Sequence, residues 1–230
     1  PARNRGLRWD HYAFGAAFSL LLVPPFDVGG WIMVDSVRIE RVSGTAIVPH
    51  LPALARLRIR VFRDFPYLYE GSEEYERSYL QTYVDSPDSV IVLVHDGERL
   101  VGASSGLPLA DEVEDLRRPF EQRGDDLSRI FYCGESILLP GYRGRGLGVR
   151  FFEEREAHAR RLGRFDTICF CAVQRPDDHP RRPADYVPLD AFWQRRGYRR
   201  QPELVTTFVW QDLDETEESP HPMMFLTKPL

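Results

Sequence analysis

The chain has 230 residues, 43% hydrophobic and 28% charged, with a formal net charge of −5. Such values exclude a disordered or fibrous chain and allow one sizeable buried core with a short appendage. The arginines are interspersed with acids and form no basic stripe, which argues against nucleic acid as a partner.

Residues 1–32 place Arg3, Arg5 and Arg8 before an apolar run from Tyr12 to Val23 and then Pro24 and Pro25. That run is too short to span a bilayer, and no small-residue cleavage site follows it, so no membrane is expected as a partner. The chain opens on Pro1, and Met33 directly precedes the first strand-like segment. The expected division is an N-terminal extension, 1–32, and a folded domain, 33–230.

Val37 and Ile39 alternate with polar neighbours and predict a first strand over Ser36 to Arg41. Pro52 suits the first turn of a helix that carries Leu54, Leu57, Val61 and Phe62 at helical spacing. Ser72, followed by Glu73 and Glu74, predicts the cap of a second helix with Tyr75, Tyr79 and Tyr83 on one face. The Asp96-Gly97 turn between two apolar runs predicts a hairpin of Val90 to Val94 with Leu100 to Leu107. Leu116 and Phe120 stand four apart in an acid-rich stretch that reads as a surface helix.

Phe131 to Leu139 reads as one strand, Gly148 to Leu162 as a helix with Val149, Phe152 and Ala159 inward, and Thr167 to Val173 as a fully buried strand. That order implies a parallel crossover. Cys133, Cys169 and Cys171 lie in these apolar strands without the paired spacing of a zinc or redox site. They read as packing thiols in a reducing, cytoplasmic compartment, since apolar burial disfavours a thiolate. Asp177, Asp178 and His179 sit among prolines and read as a turn; no metal is expected. A Pro-rich loop to Pro188, a short helix from Leu189 to Arg196, a strand from Leu204 to Trp210 and a last one from Met223 to Leu226 complete the chain.

The segment Pro140-Gly141-Tyr142-Arg143-Gly144-Arg145-Gly146-Leu147-Gly148 stands between a strand and a helix, where glycines and free N–H groups make an anion site. Leu147 and Gly148 occupy the places where a Walker loop needs Lys and Ser/Thr, and the glycine spacing differs from a dinucleotide fingerprint. Arg143-x-x-Gly146-x-Gly148 after a hydrophobic strand resembles the pyrophosphate-binding motif of the GNAT acetyltransferases. The order of elements from Ser36 to the C-terminus is similar to that superfamily.

The resemblance implies an α/β fold whose mixed, mostly antiparallel sheet opens between the motif strand and the strand from Thr167. It implies acetyl-CoA as co-substrate and direct transfer of an acetyl group to a primary amine, on a small molecule or a peptide, within a ternary complex. Backbone amides of Arg143, Gly144, Arg145, Gly146, Leu147 and Gly148 would hold the pyrophosphate, and backbone groups of Leu138 and Leu139 the pantetheine arm. Arg150 and Arg155 are either ribose-phosphate contacts or solvated charges. The superfamily's phenolic acid is replaced by Trp193, which cannot donate as an acid, and Tyr186 is the substitute beside solvent. Glu135, in an apolar strand, is the candidate base, unless it pairs with an arginine or faces solvent; Tyr132 is the alternative. Tyr69 and Glu70 are the candidate acceptor residues. A homodimer is left open, and the rival reading is an acyl-CoA-binding module without catalysis.

Overall fold

The computed structural model describes residues 31–34, 36–213 and 215–230. The arginines and apolar run of the N-terminal extension lie outside the described residues. Strand β1 (Trp31–Val34) pairs antiparallel with β2 (Val37–Val42), so the division at residue 33 falls within a paired strand.

Helix α1 (Leu51–Phe62) has Pro52 in its first turn, and α2 (Glu73–Asp85) is capped by Ser72, whose Oγ accepts from the Tyr75 N–H at 3.3 Å. The hairpin of β3 (Val90–Asp96) and β4 (Arg99–Pro108) turns at Gly97, whose φ of 56° suits glycine. Helix α3 (Glu114–Arg123) is less a surface element than expected: Leu116 and Phe120 are buried, with Phe120 edge-on to Phe225 at 4.8 Å.

The motif strand is two strands, β5 (Ile130–Tyr132) and β6 (Ser136–Leu138). After them come α4 (Leu147–Leu162), β7 (Thr167–Val173), α5 (Asp190–Gln194), β8 (Arg199–Trp210) and β9 (Ser219–Pro229). Sheet order is β1-β2-β3-β4-β5-β7-β9-β8, with β6 also on β4. Among the described residues β5–β7 is the one parallel pair and the other pairs are antiparallel, which is the expected α/β class.

Strand alternation divides the core between the two faces of the sheet. Ile91, Leu93, Ile130, Tyr132, Cys169 and Cys171 pack with Leu54, Leu80 and Tyr83 of α1 and α2. Val90, Val92, Phe131, Cys133, Ile168 and Phe170 pack with Leu147, Phe151 and Phe152 of α4. Both faces of β7 are therefore buried, as its unbroken apolar sequence requires.

Candidate active site at the opening of the sheet

The break between β5 and β6 organises the site. Cys133 N–H still bonds to Cys169 C=O of β7 at 2.8 Å. At the next residue the chain turns to β4: Gly134 N–H donates to Ser105 C=O, and Ser105 N–H to Glu135 C=O, both at 3.1 Å. A Cβ at Gly134 would overlap the Tyr83 hydroxyl, so glycine alone fits there. Beyond it β6 pairs with β4 only, while β7 runs on to Val173, and the sheet is open between them.

Backbone parity decides which groups face this opening. Glu135 C=O and Leu139 N–H are bonded to β4, the latter to Val101 C=O at 2.9 Å. The intervening even positions, Ser136 and Leu138, therefore turn their N–H and C=O away from β4. Leu138 C=O accepts from Arg143 Nε at 3.3 Å. Of the two expected residues, then, Leu138 faces the opening and Leu139 spends its amide on β4. Ser136, a two-residue step back from Leu138, faces the opening as well.

Below the opening, Gly144 and Gly146 have φ of 77° and 80°, and a Cβ on either would meet open space. Gly146 caps α4 without a side-chain acceptor, and the first turn of α4 holds no acid. Its leading N–H groups thus keep their positive end free for an anion. A hollow of about 400 Å³ adjoins them, lined by Arg145, Gly146, Leu147, Val149, Arg150 and Glu153. Val149 therefore lines the hollow, whereas Phe152 and Ala159 are buried as expected. Arg143 pairs with Asp64 at 3.2 Å, Arg145 lies over the Tyr142 ring at 5.0 Å, and Arg150 pairs with Glu154 at 2.6 Å. Arg155 is neither a ribose contact nor a solvated charge: it is 2% exposed.

Glu135 is buried, and its Oε2 lies 2.6 Å from Arg58 Nη1. The pairing with an arginine weighed from the sequence is thus present, with a residue 77 positions away. Arg58 also pairs with Glu76 and sits 4.4 Å above the Tyr79 ring. Burial alone would lower the Arg58 pKa; the two carboxylates outweigh it and hold the guanidinium well above its ordinary value. Arg58 and Glu76 were not singled out from the sequence. Both stand in apolar stripes, Arg58 four residues from Leu54 and from Phe62, and Glu76 four from Leu80, and that intrusion was the available signal.

Next to this pair Tyr79 and Tyr83 hydroxyls are 3.1 Å apart, and burial raises the Glu112 carboxyl to about 7. Tyr132 hydroxyl lies 3.3 Å from Cys171 Sγ, and burial pushes the phenol well up. Burial likewise lifts the thiols of Cys133 to about 11 and Cys171 to about 12.

The loop between α1 and α2 is tied to the far end of β7. Arg175 donates to Pro66 C=O and Tyr67 C=O at 2.8 Å each and pairs with Asp212 at 2.7 Å. Tyr69, on that loop, bridges to Asp212, and Glu70 is exposed and paired with Arg63 at 2.9 Å. Tyr186 is half-buried with its ring 4.7 Å from Phe65 of the same loop, and burial raises its phenol. Trp193 is half-buried and packs edge-on to Phe170 at 5.2 Å, against the core. Thus Tyr69, Glu70 and Tyr186 gather around one loop, while Glu135, Tyr132 and Leu138 belong to the split strand. Among the described residues no group of three His, Cys, Asp or Glu side chains could hold a metal, and no helix is long and apolar enough to cross a membrane.

Residues 54–184, more than half of the chain, match the acetyltransferase (GNAT) family, and the chain belongs to that family of acetyl-CoA-using enzymes. Many solved structures share the fold, three of them as follows. Ribosomal-protein-alanine N-acetyltransferase from Brucella melitensis is 16% identical, with a TM-score of 0.53 over 83% of this chain and 99% of that one. Arabidopsis thaliana NAA60, in complex with a bisubstrate analogue, is 14% identical, with a TM-score of 0.52 over 84% and 99%. A GCN5-related N-acetyltransferase from Kribbella flavida is 15% identical, with a TM-score of 0.51 over 85% and 99%. No curated protein matches the sequence.

Proposed function

We propose that the enzyme transfers an acetyl group from acetyl-CoA to a primary amine by direct attack in a ternary complex. The observation that carries this reading is the break at Gly134, which ends pairing with β7 and leaves the backbone of Ser136 and Leu138 facing an opening above a free helix N-terminus. In this reading the N–H groups of residues 143–148 hold the pyrophosphate, and Ser136 and Leu138 pair with the pantetheine arm. The Leu138 N–H faces the thioester oxygen, where it stabilises the negative charge that develops as the amine nitrogen bonds to the carbonyl carbon. Glu135, held by Arg58, receives the proton of the amine, directly or through water. As the carbon–sulfur bond breaks, Tyr186 or solvent protonates the departing thiolate. Tyr69 and Glu70, on the loop anchored by Arg175, are the acceptor residues. The three free, buried thiols suit a reducing compartment, and we place the enzyme in the cytoplasm.

The test is Glu135→Gln, which keeps the volume and a partner for Arg58 but removes the proton acceptor. Turnover should fall by about 10²-fold, the usual scale of general base catalysis. Acetyl-CoA affinity should stay as it is, and the acidic limb of the pH–rate profile should disappear. Native turnover across the pH range in the folded variant would remove Glu135 from the mechanism.

A further inference from the structure

Arg155 has no role in the chemistry described above, yet it is 2% exposed and lies in the middle of α4 under the break in the motif strand. Its Nη1 donates to Glu135 C=O at 2.9 Å and to Ser105 C=O at 3.4 Å. Its guanidinium stacks over the Phe152 ring at 4.9 Å, and no carboxylate among the described residues forms an ion pair with it.

A buried cation without a counter-ion is costly, and an apolar side chain of similar volume would fill the same space more cheaply. What an apolar residue cannot do is join these two carbonyls. Each already accepts one bond from the opposite strand, Ser105 C=O from Gly134 N–H and Glu135 C=O from Ser105 N–H. A carbonyl has a second lone pair, and Arg155 occupies it on both strands at the point where the ladder is irregular. From the other face of the sheet Arg58 holds the Glu135 side chain. One residue is therefore gripped by two buried arginines, its carbonyl from α4 and its carboxylate from α1.

We propose that Arg155 is a positioning residue for the cofactor arm: by bridging Ser105 and Glu135 it fixes the direction in which β6 leaves β7, and so where the backbone groups of Ser136 and Leu138 stand. The inference rests on the reading that the pantetheine arm lies in this opening. Misplacing such groups by about 1 Å is enough to lose one to two orders of magnitude in a positioned interaction.

Calorimetric titration with CoA, beside circular dichroism and thermal melting, tests it on the wild-type chain and on Arg155→Met and Arg155→Lys. The Arg155→Met variant, measured well below its own melting temperature, should bind CoA at least about tenfold more weakly. Arg155→Lys, which keeps the charge and donors on a shorter arm, should fall between. A purely structural role would lower the melting temperature and leave the Kd of the folded protein unchanged, and that result overturns the proposal. If Arg155→Met does not fold, native affinity in Arg155→Lys overturns it equally. Failure of the wild-type chain to bind CoA would be a different outcome, refuting the assignment of the opening itself and this inference with it.

Discussion

Replacing Arg58 by Met should be among the most damaging single substitutions outside the apolar core. Arg58 lies between Glu76, 0% exposed, and Glu135, 7% exposed. Its removal leaves two buried carboxylates facing each other without a cation. Breaking a buried pair in this way costs about 3–5 kcal/mol, mostly as the penalty of stranded charge. Loss of the contact with the Tyr79 ring at 4.4 Å adds to it. In a domain of this size each kcal/mol moves the melting temperature by about 2–4 °C, so the fall should be roughly 6–20 °C. Thermal and urea denaturation measure it. Adding Glu76→Gln and Glu135→Gln to Arg58→Met should recover most of the loss, because the stranded charges disappear. A loss below about 1 kcal/mol, or a triple variant no more stable than the single one, would refute the account of this cluster.

Glu112→Gln should change how stability depends on pH. The folded pKa of about 7 stands above the ordinary value of 4.5, so the wild-type chain loses stability as pH rises from about 4.5 to about 7, where only the unfolded state releases the proton. The variant should lack that slope and be more stable than wild type at pH 8 by about 3 kcal/mol; an equal change in stability between pH 5 and pH 8 for both proteins, measured by urea titration, would contradict this. Gly146→Val places a branched side chain at a φ of 80° in open space beside the helix N-terminus. It should weaken acetyl-CoA binding by more than about tenfold while costing only about 1–3 kcal/mol of stability, measured by calorimetry and melting.

The parts legible in the sequence were those settled by local chemistry. Ser72 capped its helix, Asp96-Gly97 turned its hairpin, and the glycines at 144 and 146 took left-handed conformations before α4. The parts missed depend on distant partners. Cys133-Gly134-Glu135 looks like continuous strand, but Ser105 and Arg155 supply the bonds that bend it, from 20 to 30 positions away. Tyr75, Tyr79 and Tyr83 were expected on one face, yet Tyr75 is 55% exposed and Tyr83 is buried. Eight residues of helix turn about 80° past the starting direction, enough to carry one end of the stripe into solvent. The last strand begins at Ser219 and not near Met223. The added residues include Pro220 and Pro222, which donate no N–H to a ladder. They are tolerated because the ladder to β7 ends at Met223, so a missing N–H on that side breaks no ladder bond.

In the proposed reaction the opening beside the glycine-capped helix binds acetyl-CoA for transfer to an amine. Its most direct test is release of free thiol from acetyl-CoA by the wild-type protein against a panel of small-molecule and peptide amines, with Gly146→Val as the matched control. Thiol release should depend on the amine with at least one acceptor, with the acetylated product detected by mass and the rate collapsed in the control. Saturable binding of acetyl-CoA with no thiol release for any amine would contradict it and leave a binding module in place of an enzyme.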